Sequence, residues 1–351
     1  MRACAPGKII LSGEHSVVYG AQAVAVAIQK HTTVSFKPLT ESNTINTLFA
    51  GISSGVHYPL HALGSLKEKL DSRFESFTQG ALPIQKILSK PDDLLMYTLS
   101  SLVHHLPVPG RASSHSYLPL PGRLSSTTDL PLGSGMGSSA SAIAATLVLF
   151  EHLLDKPLGI DQRFEMVRFC ERLQHGRGSA IDAAAVTYGG INHIQHGNVK
   201  QLDISLGGDW YWIFTGKPQV TTGECVHYVR DRYESDKSLW LEFSAVTASL
   251  IGQLGTDASV VDTIKANHRL LCRIGVVPPS AVRLIKRIED LGGAAKISGA
   301  GAHKGEAGGL VLAYLPGQDL SKGIDVLMDD YQEYIWGHVE EDACGARYIG
   351  D

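Results

Sequence analysis

Short apolar runs separated by turns open the chain. Residues 8–12 form one such run between Pro6-Gly7 and Gly13, and they predict a strand. Residues 23–28 and 32–37 predict two more strands, with Gly20 at the turn before them. Residues 40–55 are polar and turn-rich, which predicts loop. Residues 66–77 alternate charged and apolar side chains at helical spacing, and in 91–106 Leu94, Leu95, Thr98, Leu99, Leu102 and Val103 recur near i, i+4 and i+8, which predicts a second helix. Residues 108–126 are rich in Pro, Ser and Gly and define strands poorly, although 123–128 fit a strand leading into a glycine loop.

The pattern then becomes strongly apolar. Residues 142–154 predict a buried helix, with Ile143, Ala144, Leu147, Val148, Phe150, Leu153 and Leu154. A further helix is predicted over 161–174 with Asp161 as N-cap, broken by 176–179. Residues 181–188 are small and apolar and end at Gly189-Gly190. Runs at 190–196 and 200–204 flank His196-Gly197-Asn198 as a hairpin would. Strands follow at 210–215 and 310–315, and helices at 238–254, 260–274, 280–291 and 320–328. Interleaved strands and helices place the fold in the α/β or α+β class. At 351 residues the chain exceeds what one core usually serves, so two domains are expected, 1–190 and 191–351.

Charge narrows the partners. The formal net charge is −4, so no broad basic field exists to hold nucleic acid, and an anionic ligand must find local positive charge. Cys4, Cys170, Cys225, Cys272 and Cys344 stand singly, with no CxxC pair, which argues against a zinc site or a disulfide framework. With no signal-peptide pattern at residues 1–8 and no long apolar run, the expectation is a cytoplasmic protein without a membrane partner.

Three glycine-rich segments carry the candidate chemistry. The most informative is Pro131-Leu132-Gly133-Ser134-Gly135-Met136-Gly137-Ser138-Ser139-Ala140, which leads directly into the apolar helix. Glycines expose backbone N–H groups and a helix N-terminus adds positive potential, so this segment predicts a phosphate cradle rather than a linker. It has neither the P-loop nor the dinucleotide pattern. A second segment is Pro6-Gly7-Lys8 with Gly13-Glu14-His15, and a third is Lys296-Ile297-Ser298-Gly299-Ala300-Gly301. Between them lie Glu171 and Asp182. One carboxylate for a metal and one for a hydroxyl proton is what phosphoryl transfer to an alcohol requires, while a structural cap or a surface charge is the alternative for either.

Together these segments resemble the GHMP kinase superfamily. Residues 5–20 look like the first motif of its mevalonate kinases, 131–142 match the second motif with Met136 in place of Leu, and 296–301 match the start of the third. The resemblance implies an α+β GHMP kinase fold. Its N-terminal domain is ribosomal-protein-S5-domain-2-like with a left-handed βαβ unit, its C-terminal domain is ferredoxin-like, and the active site lies between them. It also implies ATP, Mg²⁺ and a small-molecule alcohol, with mevalonate as the first expectation and phosphomevalonate or another acceptor as the alternative; a homodimer is a family expectation. By position, Pro131, Gly133, Gly135, Met136, Gly137, Ser138, Ser139 and Ala140 would hold the nucleotide. Ser139 and Glu171 would hold the metal, and Asp182 and Lys8 would act on the hydroxyl. Glu14, His15, Thr221, Gly299 and Ala300 would face the substrate. The chain departs from the pattern at Gly178, Ala180 and Ala183 beside Asp182, and at Ala302-His303-Lys304-Gly305-Glu306 in the third motif. Arg177 and Lys304 are the cations that an already phosphorylated acceptor would call on.

Overall fold

A computed structural model describes residues 1–49, 53–105, 120–176 and 178–350. Strand β1 (Arg2–Ser12) pairs antiparallel with the long β2 (Ala23–Pro38). Next come β3 (Thr44–Phe49), β4 (Ser53–Pro59), α1 (Leu63–Thr78), α2 (Asp93–His105) and β5 (Gly122–Thr128). β5 lies antiparallel to β2 and parallel to β3, so a helical crossover joins parallel neighbours. Helices α3 (Ser138–Leu153), α4 (Ile160–His175) and α5 (Ala180–Tyr188) follow, then the hairpin β6 (Ile191–Gln195) and β7 (Asn198–Leu202). β6 pairs with the first part of β2.

The second layer system begins with β8 (Trp210–Phe214) and continues through α6 (Thr222–Tyr233), α7 (Lys237–Gln253), α8 (Val261–Arg273), α9 (Pro279–Asp290), β9 (Ala294–Ser298), β10 (Leu310–Tyr314), α10 (Gln318–Asp329) and β11 (Ile335–His338). Its strands lie in the order β11-β8-β10-β9, every pair antiparallel. That places the fourth strand beside the first, then the third and second, which is the ferredoxin-like order. The last strand, β12 (Arg347–Gly350), returns to the first sheet beside β1. The first sheet therefore takes strands from beyond residue 190, and the two sheets do not divide at that point.

The period-2 alternation of β1 explains how the halves join. Ile10 faces a core shared with α2, α3, α4 and α5. Ile9 and Leu11 face the other way, into a core with Trp210, Trp212, Leu310 and Leu312 of the second sheet. Ser298 adds a polar rivet here. Its hydroxyl donates to the Ile10 carbonyl at 3.0 Å and accepts the Ile10 N–H at 2.9 Å.

Several elements differ from the sequence reading. The two runs at 23–28 and 32–37 form one strand, because β1 stays paired along it through a bulge at Pro6/Gly7 while its other edge changes partner from β6 to β5. The polar stretch at 40–55 contains β3, whose buried positions Ile45, Thr47 and Phe49 alternate with more open ones. Thr47 escapes the hydrophobic pattern because its hydroxyl is satisfied in the core by Asp92 at 3.1 Å. Asp161 lies in the first turn of α4, and Gly159 is the N-cap. Much of 108–126 lies outside the described residues.

Asp342 ties the returning strand down. It accepts from the ring of His31 at 2.7 Å, from the N–H of Cys344 at 3.0 Å and from Arg347 at 3.0 Å. Burial alone would raise this carboxyl, but these donors outweigh it and hold it at about 2. A depressed folded value means the unfolded chain takes up the proton first, so the stabilisation is present above the usual carboxylate range and is lost as pH falls toward 2. Denaturation of the wild type and Asp342→Asn across that interval is expected to show a smaller loss in the variant. Ser298→Ala removes the side-chain partner of the buried Ile10 N–H, while the Ile10 carbonyl keeps the Lys296 ammonium at 3.3 Å, and should lower unfolding free energy by about 1–3 kcal/mol in urea titrations.

Candidate active site

The glycine loop at 131–137 is pinned before it reaches α3. The N–H of Ser134 donates to the Pro131 carbonyl at 3.1 Å, the N–H of Met136 to the Ser134 hydroxyl at 3.3 Å, and the N–H of Lys8 to the Met136 carbonyl at 2.9 Å. Met136 itself is buried. Gly137 caps α3 with φ 77° and offers no side-chain acceptor, so the first-turn N–H groups of the helix are free to meet an anion. Only glycine fits there. A Cβ at 137 would lie 3.1 Å from Asp182 Oδ1 and 3.1 Å from Lys8 Cγ. Beside the loop a cavity of about 500 Å³ is lined by Phe49, Lys90, Leu94, Thr127, Leu132 and Ser139, among others.

At the foot of the loop, Lys8 Nζ lies 3.3 Å from Asp182 Oδ1, with the two side chains 5% and 18% exposed. β1 supplies the lysine and the first turn of α5 supplies the aspartate. Ser179 fixes that turn by accepting the Asp182 N–H at 3.2 Å. Glu171, from the last turns of α4, is buried next to it. It accepts from the Ser139 hydroxyl and from the Ser179 N–H, each at 3.3 Å. Burial, reinforced by the negative charge of Asp182, pushes the Glu171 carboxyl well above the usual range.

A second cluster lies at the far end of β1. Glu14 is buried and ion-paired with the wholly buried Lys296, whose ammonium also donates to the Ile297 carbonyl at 2.9 Å. Burial pushes the Glu14 carboxyl up and the Lys296 amine down, each opposed by the partner's charge. Among the described residues Glu14 Oε2 has no partner. His15 is held at φ 58° and donates from Nε2 to the Ala300 carbonyl at 2.9 Å, and burial lowers its basicity, so it stays neutral. The Cys225 thiol donates to the same carbonyl at 3.0 Å. Gly299, at φ 104°, has open space where a side chain would stand.

The chain is similar to known proteins. Residues 111–190 match the family described as GHMP kinases N terminal domain. The mevalonate kinase of Pyrococcus abyssi is 28% identical over 333 residues, covering 90% of this chain and 89% of that one. That of Archaeoglobus fulgidus is 27% identical over 321 residues, covering 91% and 93%. A crystal structure of mevalonate kinase superposes with a TM-score of 0.77 at 18% identity, covering 97% of this chain and 99% of that one. Residues 111–190 are thus similar to a GHMP kinase N-terminal domain, and the chain is similar along nine-tenths of its length to mevalonate kinases.

The fold brings Lys8, Gly137, Ser139, Glu171 and Asp182 into one cluster. Glu14, His15 and Ala300 form the other. Ser138 and Ser139 both line the cavity. Thr221 stands differently from the expectation. It is exposed and caps α6, with its hydroxyl donating to Glu224 at 2.8 Å, and among the described residues it bonds to neither cluster. Lys304 is exposed on the third loop, and Arg177 lies outside the described residues. Sequence reasoning missed Ser179 and Lys296. Ser179 precedes Asp182 by three positions, the spacing of an N-cap, and that signal was readable. Nothing in the pattern around Lys296 announces a buried charge.

Gly137→Ala tests the loop. The added methyl meets both members of the ion pair at a positive φ, so turnover is expected to fall at least about tenfold with at most about 2 kcal/mol lost in stability, read by steady-state kinetics and thermal unfolding.

Proposed function

We propose that this chain transfers the γ-phosphoryl group of ATP to the primary alcohol of mevalonate, giving 5-phosphomevalonate. The observation that carries the reading is the Lys8–Asp182 pair, 3.3 Å apart at the foot of a glycine loop that leads into a helix N-terminus. The curated relatives that align along nine-tenths of the chain are mevalonate kinases, and they supply the acceptor.

In this mechanism the triphosphate lies along residues 133–140, met by the N–H groups of the loop and of the first turn of α3, with the nucleoside in the adjoining cavity. Asp182 accepts the proton of the substrate hydroxyl, and Lys8 meets the negative charge that develops on its oxygen. Packing on Gly137 keeps both within reach of the transferred group. The Glu14–Lys296 pair and His15 shape the acceptor end, where neutral His15 presents its ring without a competing charge.

The residues fit a divalent cation. Glu171 is a buried carboxylate pushed upward by burial and by the charge of Asp182, and the Ser139 hydroxyl faces it at 3.3 Å. An all-oxygen set of one carboxylate and one hydroxyl, completed by phosphate oxygens and water, suits Mg²⁺. Bound there, the cation would neutralise phosphate charge. The same reading includes a cytoplasmic setting, which the five free thiols support.

A panel of mevalonate, phosphomevalonate, homoserine and sugars, each with ATP and Mg²⁺ and followed by ADP release, tests the acceptor. Mevalonate is expected to turn over fastest, and turnover of another acceptor in its place rejects the reading. Asp182→Asn and Lys8→Met are each expected to slow kcat at least about a hundredfold while the proteins stay folded by circular dichroism. Rates near wild type in both remove the mechanism.

A further inference from the structure

The segment after β8 carries a lysine that the mechanism above does not use. Residues 215–219 run between two glycine loops from different domains. On one side Thr215 is tied to the third glycine segment. Its N–H and hydroxyl donate to the Gly309 carbonyl at 2.9 and 3.0 Å, and the hydroxyl accepts the Gly308 N–H at 3.1 Å. Gln219 and Pro218 cover the same segment, so a Cβ on Gly305 would lie 2.6 Å from Gln219 and one on Gly309 would lie 3.2 Å from Pro218.

On the other side the segment meets the loop that feeds α3. A Cβ on Gly133 would lie 3.2 Å from both Cγ and Cδ of Lys217 and 3.4 Å from Cε. The space left by the missing side chain of Gly133 is where the Lys217 stem lies. Among the described residues the Lys217 ammonium makes no ion pair or hydrogen bond. Lys217 is exposed, with its stem against Gly133 and its charge unpaired among the described residues, so the ammonium is open to a ligand. Over a loop of backbone N–H groups at a helix N-terminus, the matching partner is an anion.

We infer that Lys217 is a nucleotide-binding residue supplied by the second domain, its ammonium engaging the polyphosphate of ATP across Gly133. The inference rests on reading the loop as the ATP site. It also explains why a residue from one sheet system lies against a loop of the other: the nucleotide's charge would hold the two together.

The test is equilibrium binding of ATP and of adenosine, with no acceptor present, to the wild type, Lys217→Ala and Lys217→Arg. Lys217→Ala is expected to weaken ATP about tenfold and to leave adenosine within about twofold, and Lys217→Arg should recover most of the loss. In turnover, KM for ATP should rise while KM for the acceptor stays put. Equal ATP affinity in wild type and Lys217→Ala overturns the inference. So does equal weakening of ATP and adenosine, which would mark a structural role. If mevalonate is not a substrate but ATP binding still depends on Lys217, the acceptor assignment falls and this one stands. A wild type that binds no ATP removes both.

Discussion

Strand β1 has almost no surface open to water, and the charged groups of the site take their places from that constraint. Its side chains alternate between two cores, one under helices α2 to α5 and one against the second sheet. A lysine in such a strand cannot reach solvent freely. Lys8 therefore turns to Asp182, and Glu14 at the strand's far end turns to Lys296. Lys8 stands in β1 and Glu14 in the turn two residues past its end, so the spacing between the two pairs is set largely by the backbone of one strand.

Buried charge is costly unless matched, and the mismatch here is informative. The glycine loop and α3 present positive potential, while Glu171 and Asp182 crowd two carboxylates beside one lysine. In the proposed function ligands balance this arrangement: an anion for the N–H groups, a cation for Glu171. Preorganised charge of this kind favours a transferring phosphoryl group without reorganisation during the reaction. The Glu14–Lys296 pair differs, because its partners already satisfy most of each other, leaving Glu14 Oε2 open among the described residues.

Much of this was legible in the chain because glycine and apolar periodicity report backbone demands directly. The loop at 131–140, its helix, Lys8, Glu171 and Asp182 could be named from order and spacing. What stayed hidden depends on long-range partners. β3 reads as loop because Thr47 finds its acceptor in Asp92 of a distant segment. β12 carries little pattern, since it is held by Asp342 and by pairing with β1 more than three hundred positions away. Thr221 fits a pocket pattern in sequence, yet local capping chemistry with Glu224 claims its hydroxyl. Lys217 is invisible to pattern because its meaning comes from Gly133, more than eighty positions earlier in the chain.

The central claim is that the site activates a primary alcohol between Lys8 and Asp182 and phosphorylates that oxygen alone. Phosphorus NMR of the product formed from ATP and mevalonate, with phosphorus–proton coupling resolved, tests it most directly. The account predicts a phosphate coupled to the two protons of the primary carbon. A phosphate on the tertiary hydroxyl, which shows no such coupling, would contradict it.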